Sequence, residues 1–164
     1  MTCRGILLQV MVAAAAMVLA GSQTAQAPAH RPFAARFYLE ARPGEVGVLV
    51  RLPVSGVNIT VGARPVFVEN DLVNAEVARI DLGVCLMLQL TPAAARDLYR
   101  LSVSSLGRQL VFFLNDAPLG ARRIEQAMPD GVILVFVETP DEQLPGLVAR
   151  LKRTSADIAA LAKK

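Results

Sequence analysis

The sequence predicts an α+β domain: an antiparallel sheet with two main helices packed on one face, ferredoxin-like, preceded by a short β-meander. Three observations carry this prediction. An apolar run followed by Thr-Pro and an amphipathic stretch occurs twice, at Val84–Leu90 with Thr91-Pro92 and at Val132–Val137 with Thr139-Pro140. A hairpin pattern separates the two units, and the helical stretches are apolar on one side only, so they need a sheet to cover. A length of 164 residues suits one domain with a real core.

Residues from Met1 to about Ala29 read as a leader. Arg4 supplies a positive start, and Ile6 to Ala20 is an uncharged run ending in small and polar residues, the pattern of a secretory signal peptide. The run is short for a membrane-spanning helix, which needs about 20 apolar residues. The small-x-small site at Ala25-Gln26-Ala27 is followed by Pro28, which disfavours cleavage there, so the cleavage point stays open between Ala20 and Ala29 and an uncleaved anchor is the alternative. The expected destination is therefore the periplasm or the exterior, and the folded part is residues 30–164.

Phe33 to Ala41 alternates as a strand until Arg42-Pro43-Gly44 breaks it, and Val46 to Leu52 is a second strand. Short strands follow at Val57–Val61 and Val66–Val68, completing the meander. Asp71 to Ala75 reads as a brief turn or helical segment leading into an irregular stretch with Val77 and Ile80. Val84 to Leu90 is almost wholly apolar, as for a strand buried on both faces. Thr91 is a natural N-cap with Pro92 at the first helical position; the helix runs to Leu106 with Ala94, Leu98, Leu101 and Ser105 on one face, and Gly107 ends it.

Gln109 to Leu114 and Ala117 to Arg123 form a hairpin about Asn115-Asp116. Pro129-Asp130-Gly131 turns the chain into the strand Val132–Val137. Thr139 with Glu142 three residues on makes a capping-box pattern, and Leu144, Leu147, Val148, Leu151, Ile158 and Leu161 then recur at helical spacing. Pro145 would disturb the first turn, so regular helix is alternatively expected to begin there. With no chain after Lys164 to complete the sheet, its last strand must come from the N-terminal meander.

Chemistry is sparse. His30, the only histidine, adjoins the leader, and one histidine builds neither a Ser-His-Asp site nor a histidine metal centre. The acidic pairs Glu69/Asp71 and Asp141/Glu142 fit the first turns of helices, where the dipole favours acids. No glycine loop has phosphate-binding spacing. Cys85 is the one cysteine outside the leader, so no intrachain disulfide is expected; within an apolar strand it reads as a small buried hydrophobe. No catalytic residue, cofactor or metal is expected. Without Arg4 the chain has 16 basic against 14 acidic residues and no Trp, a poor nucleic-acid binder. A membrane contact is expected only through an uncleaved leader.

The order of elements from Asp71 to about Leu151 resembles the head subdomain of the first periplasmic domain of SecD, the membrane subunit that assists protein export. Carrying the resemblance are Asp71-Leu72 with Ala75 and Val77; Thr91 with Ala94-Ala95; Leu98-Tyr99; Gly107-Arg108 before the strand Leu110–Leu114; Ala121, Ile124 and Gly131; and the last helix around Glu142. The chain departs from the family at Asn115-Asp116, where Asp-Gly is common, at Arg122, where proline is common, and at Glu138, which lacks the family's glycine. The membrane helices of SecD and their carboxylates have no counterpart, so the resemblance implies a soluble relative of the head. Its implied role is non-catalytic, through protein or peptide contacts in the envelope. The candidate contact surfaces are the hairpin tip, with Asn115, Asp116, Pro118 and Leu119, and the segment Leu52–Phe67 as an edge for peptide addition. A carboxylate- or arginine-based enzyme and a structural subunit of an envelope assembly are the competing readings.

Overall fold

The computed structural model describes residues 33–162; the expected leader, His30 and the last two lysines lie outside the described residues. Eight strands and two helices follow one another as β1 (Ala35–Leu39), β2 (Gly47–Arg51), β3 (Asn58–Gly62), β4 (Leu72–Ile80), β5 (Gly83–Leu90), α1 (Pro92–Ser104), β6 (Gln109–Leu114), β7 (Ala117–Arg123), β8 (Val132–Val137) and α2 (Leu144–Leu161). Six strands form one sheet in the order β1-β6-β7-β8-β5-β4, antiparallel throughout, and β2 pairs with β3 in a separate ribbon.

The α+β class and the two helices on one face stand as expected. The strand order differs from a ferredoxin-like sheet, in which the strand before the first helix lies beside the second strand of the hairpin. Here β8 intervenes between β5 and β7, and the strands flanking α1 run in opposite directions. The N-terminal segment does supply a sheet strand, since β1 pairs along the whole of β6. The rest of the expected meander becomes the ribbon.

Alternation along β6 explains the layers. Leu110 and Phe112 join Phe37, Leu86, Ile133, Leu98 and Leu151 in the main core between sheet and helices. Val111 and Phe113 point the other way and bury against Leu52, Ile59 and Val61 of the ribbon, with Tyr38 4.7 Å from Phe113 between ring centroids. A strand covered on both faces reads as an unbroken apolar run, which is what Leu110–Leu114 is.

Thr91 caps α1 through its hydroxyl, which accepts from the Ala94 amide at 3.3 Å. Gly107, at φ 84°, turns the chain out of the helix and donates to Ile124 O at 2.8 Å. Three sequence expectations are corrected. Residues 71–80 are not a helical turn and irregular chain: only Glu69–Asp71 forms a 3-10 turn, and Leu72–Ile80 is a nine-residue edge strand. A register shift between Leu72 and Asn74 breaks its alternation and hides it in the sequence. The capping box at Thr139 does not form either; Asp141–Gln143 makes a 3-10 turn without a side-chain cap, and α2 starts at Leu144 with Pro145 in its first turn. The strand expected at Val66–Val68 reduces to a single bridge between Phe67 and Phe37.

Candidate interaction surfaces

Along its β3 edge the ribbon is joined to the residues that follow β1. The Ala41 amide donates to Thr60 O at 2.7 Å, and Glu40 bridges Val61. Within the ribbon, Leu52 N–H reaches Val57 O at 2.9 Å, which makes Val48, Val50 and Leu52 the residues bonded to β3. Alternation then turns the amide and carbonyl of Gly47, Leu49 and Arg51 to the outer edge of β2, where no strand lies among the described residues. Gly47 lets β2 approach this closely, because a Cβ there would lie 2.6 Å from Val61 O.

This edge is apolar. Val46, Val48 and Leu49 are 90%, 56% and 67% exposed, and Val54 and Val57 are exposed on the loop that follows. Exposed apolar side chains lying side by side mark contact surfaces more often than isolated ones do, and a bare strand edge is a template for another chain. Pro53 lies beyond the end of β2, so the strand itself carries no proline to block pairing.

The ribbon tip is latched to the far side of the sheet by Glu138. Its carboxylate accepts from the amides of Val54 at 2.6 Å and Ser55 at 2.9 Å. Burial works to raise its pKa, but the hydrogen bonds from Ser55 and Val54 outweigh it and hold the carboxyl below the ordinary range.

The hairpin tip singled out in the sequence is bound to β1. Asn115 and Asp116 have φ of 50° and 67°, the type I′ geometry of a two-residue hairpin. Asn115 donates its amide to Ala34 O at 2.8 Å and accepts from Ala34 N–H through Oδ1 at 3.2 Å, while Asp116 pairs with Arg36 at 2.9 Å. Pro118 falls at the irregularity between β6 and β7. Leu119 lines a groove of about 410 Å³ with Phe33, Leu114, Leu147 and Arg150, whose guanidinium lies 5.6 Å from the Phe33 ring centroid. The four residues thus split: Asn115 and Asp116 hold the fold, Pro118 sits at the strand irregularity, and Leu119 faces an open groove.

Cys85 is fully buried, as its apolar strand predicts; burial pushes its thiol pKa up against the opposing Arg122 charge. Among the described residues no cluster of three His, Cys, Asp or Glu side chains is placed to hold a metal, and no helix is long and apolar enough to cross a membrane.

No family model matches this chain, and neither does any curated protein. Solved structures do. The structure described as a membrane component SecDF that enhances protein export matches at 16% identity with a TM-score of 0.57, over 74% of this chain and 62% of that one. SecDF in its super-membrane-facing form matches at 16% identity and 0.58, over 74% of this chain and 19% of that one. SecDF from Thermus thermophilus, a translocon-associated membrane protein, matches at 15% identity and 0.51, over 75% and 20%. The fold is that of part of SecDF. This chain therefore spans less than two thirds of each of these SecDF chains, and at such identity the likeness is one of architecture.

The ribbon edge is what sequence reasoning missed. Val46–Leu52 reads simply as a second strand of the meander, and its signal was the lack of alternation in Gly47-Val48-Leu49-Val50: an apolar strand without a polar face is either covered twice or exposed.

Proposed function

We propose that this protein is an exported, non-catalytic domain of the cell envelope that binds extended, apolar polypeptide segments, adding them as a strand to the outer edge of β2. The observation that carries the reading is the unpaired β2 edge with Val46, Val48 and Leu49 exposed beside it. Backbone groups of Gly47, Leu49 and Arg51 supply affinity without sequence preference, and the aliphatic side chains select apolar segments. The leader pattern supports export, and the architecture shared with SecDF, of which one structure is described as enhancing protein export, supports a polypeptide as partner.

The test is fluorescence anisotropy with a reduced, carboxymethylated and permanently unfolded protein as probe. Saturable binding that disappears in the double variant Val48→Lys, Leu49→Lys, with an unchanged melting temperature, is expected. Absence of binding, or binding indifferent to the double variant, overturns the reading.

A further inference from the structure

β7 and β8 are paired only at Gly120 with Val137 and Ala121 with Phe136. Beyond Ala121 they part. β7 stays with β6, pairing Arg122 with Leu110 and Arg123 with Gln109, and Ile124 N–H donates to Arg108 O at 2.8 Å. The connecting segment is drawn into the helix-side core at Ile124 and Met128, where the Met128 amide donates to the Ser102 hydroxyl at 2.9 Å. A wedge-shaped slot of about 430 Å³ is left between the strands, with Arg122, Met128, Asp130, Val132 and Leu134 among its lining residues.

The hydrogen bonds at the two ends of β8 fix which backbone groups face this slot. Glu138 N–H donates to Leu119 O on the β7 side at 2.7 Å, and Gly131 O accepts from Leu90 N–H on the β5 side at 2.8 Å. Alternation therefore directs the amides and carbonyls of Val132 and Leu134 into the slot. Of these groups only Leu134 O has a partner from that side among the described residues: Arg122 Nη1, at 3.0 Å, standing where a neighbouring strand's amide would. Arg122 Nε is itself buried without an acceptor. A buried guanidinium N–H is costly to leave unmade.

We propose that this slot receives the free C-terminal end of an extended polypeptide, its last residues pairing with Val132–Leu134 and its terminal carboxylate accepting from Arg122. The pairing at Ala121 and Phe136 closes the slot, so a chain enters end-on and cannot run through. Arg122 directly follows that closed end, whereas Asp130 precedes Val132 at the mouth; this order of charge favours a chain entering carboxylate first. The inference rests on the reading of the domain as a polypeptide binder and adds a second contact, separate from β2.

Two octapeptide mixtures randomised at their last four positions, one with free carboxylates and one amidated, are passed over the immobilised protein. Retention of the free acids at least about tenfold above the amides is expected, the size of a lost charge-assisted hydrogen bond. The preference should vanish in Arg122→Met, survive in part in Arg122→Lys, and persist in the β2 variant Leu49→Lys. On titration with the acid mixture the amide resonances of Val132 and Leu134 should shift in the unaltered protein, a readout that does not depend on how any variant folds. Equal retention of acids and amides, or unmoved Val132 and Leu134 resonances, overturns the slot while leaving the β2 reading intact; failure of β2 binding with a persisting acid preference does the reverse.

Discussion

The two faces of β6 are covered by different kinds of layer. On one face Leu110 and Phe112 meet two helices and the strands of a six-stranded sheet; on the other, Val111 and Phe113 are covered by the β2–β3 ribbon, with Tyr38 and Ala121 beside them on the sheet. The main core draws on both helices and both halves of the sheet, so no piece of it can leave alone. The ribbon cluster has five buried members and hangs on the bonds of residues 40–41 and the Glu138 latch. Stability is expected to be uneven in the same way, with the ribbon able to open while the sheet stays folded.

Truncation in each layer should break or confirm that contrast. Phe112, fully buried among aromatic and aliphatic neighbours including Phe37 at 5.1 Å, should cost about 3–5 kcal/mol as Phe112→Ala and lower the single cooperative urea transition. Ile59→Ala in the ribbon should cost about 2–3 kcal/mol of local stability. Its effect should appear as faster hydrogen exchange in β2 and β3, with β5, β6 and β8 amides scarcely changed. Equal loss of protection across the sheet would mean that the ribbon is integral to the core.

Acid should loosen the same layer. Glu138 has its carboxyl held below the ordinary value of 4.5. A depressed folded-state pKa means that the latch is fully formed above that ordinary value and is lost as the pH falls through the lower, folded-state one. Exchange rates of the Val54 and Ser55 amides should rise in that acid window while β6 amides stay protected. Glu138→Gln should speed both amides at neutral pH and abolish the dependence; a Gln variant that still titrates would place the latch elsewhere.

The same contrast governs what was legible. The main sheet announced itself because packing on a buried face enforces pattern: the Thr91 cap, the Asn115-Asp116 turn and the apolar runs of β5, β6 and β8 each read correctly. Edges escaped. β4 hid because its alternation is broken by a register shift at Val73 and its exposed residues mix valines, Val73 and Val77, with the charged Glu76 and Arg79. The separation of β2–β3 from the sheet is a long-range choice, made by Val111 and Phe113 some fifty residues away, and local pattern carries no trace of it. Of the candidate contact residues, Leu119 faces an open groove, whereas Asn115 and Asp116 were chosen for being a polar turn and are engaged by Ala34 and Arg36. The positions set apart from the SecD pattern are informative: Asn115-Asp116 binds β1, and Glu138 binds the ribbon.

The smallest expected effect on stability is the sharpest test of the comparison. Leu49 points away from the ribbon cluster and is 67% exposed, so Leu49→Lys removes no packed contact and should leave the unfolding free energy from urea titration within about 0.5 kcal/mol of the unaltered protein. A residue kept for folding would not behave so. If the same substitution abolishes capture of an unfolded chain, the apolar character of β2 serves the partner and not the fold. If it unfolds the ribbon instead, Leu49 serves the fold, and the apolar character of β2 is no evidence of a partner.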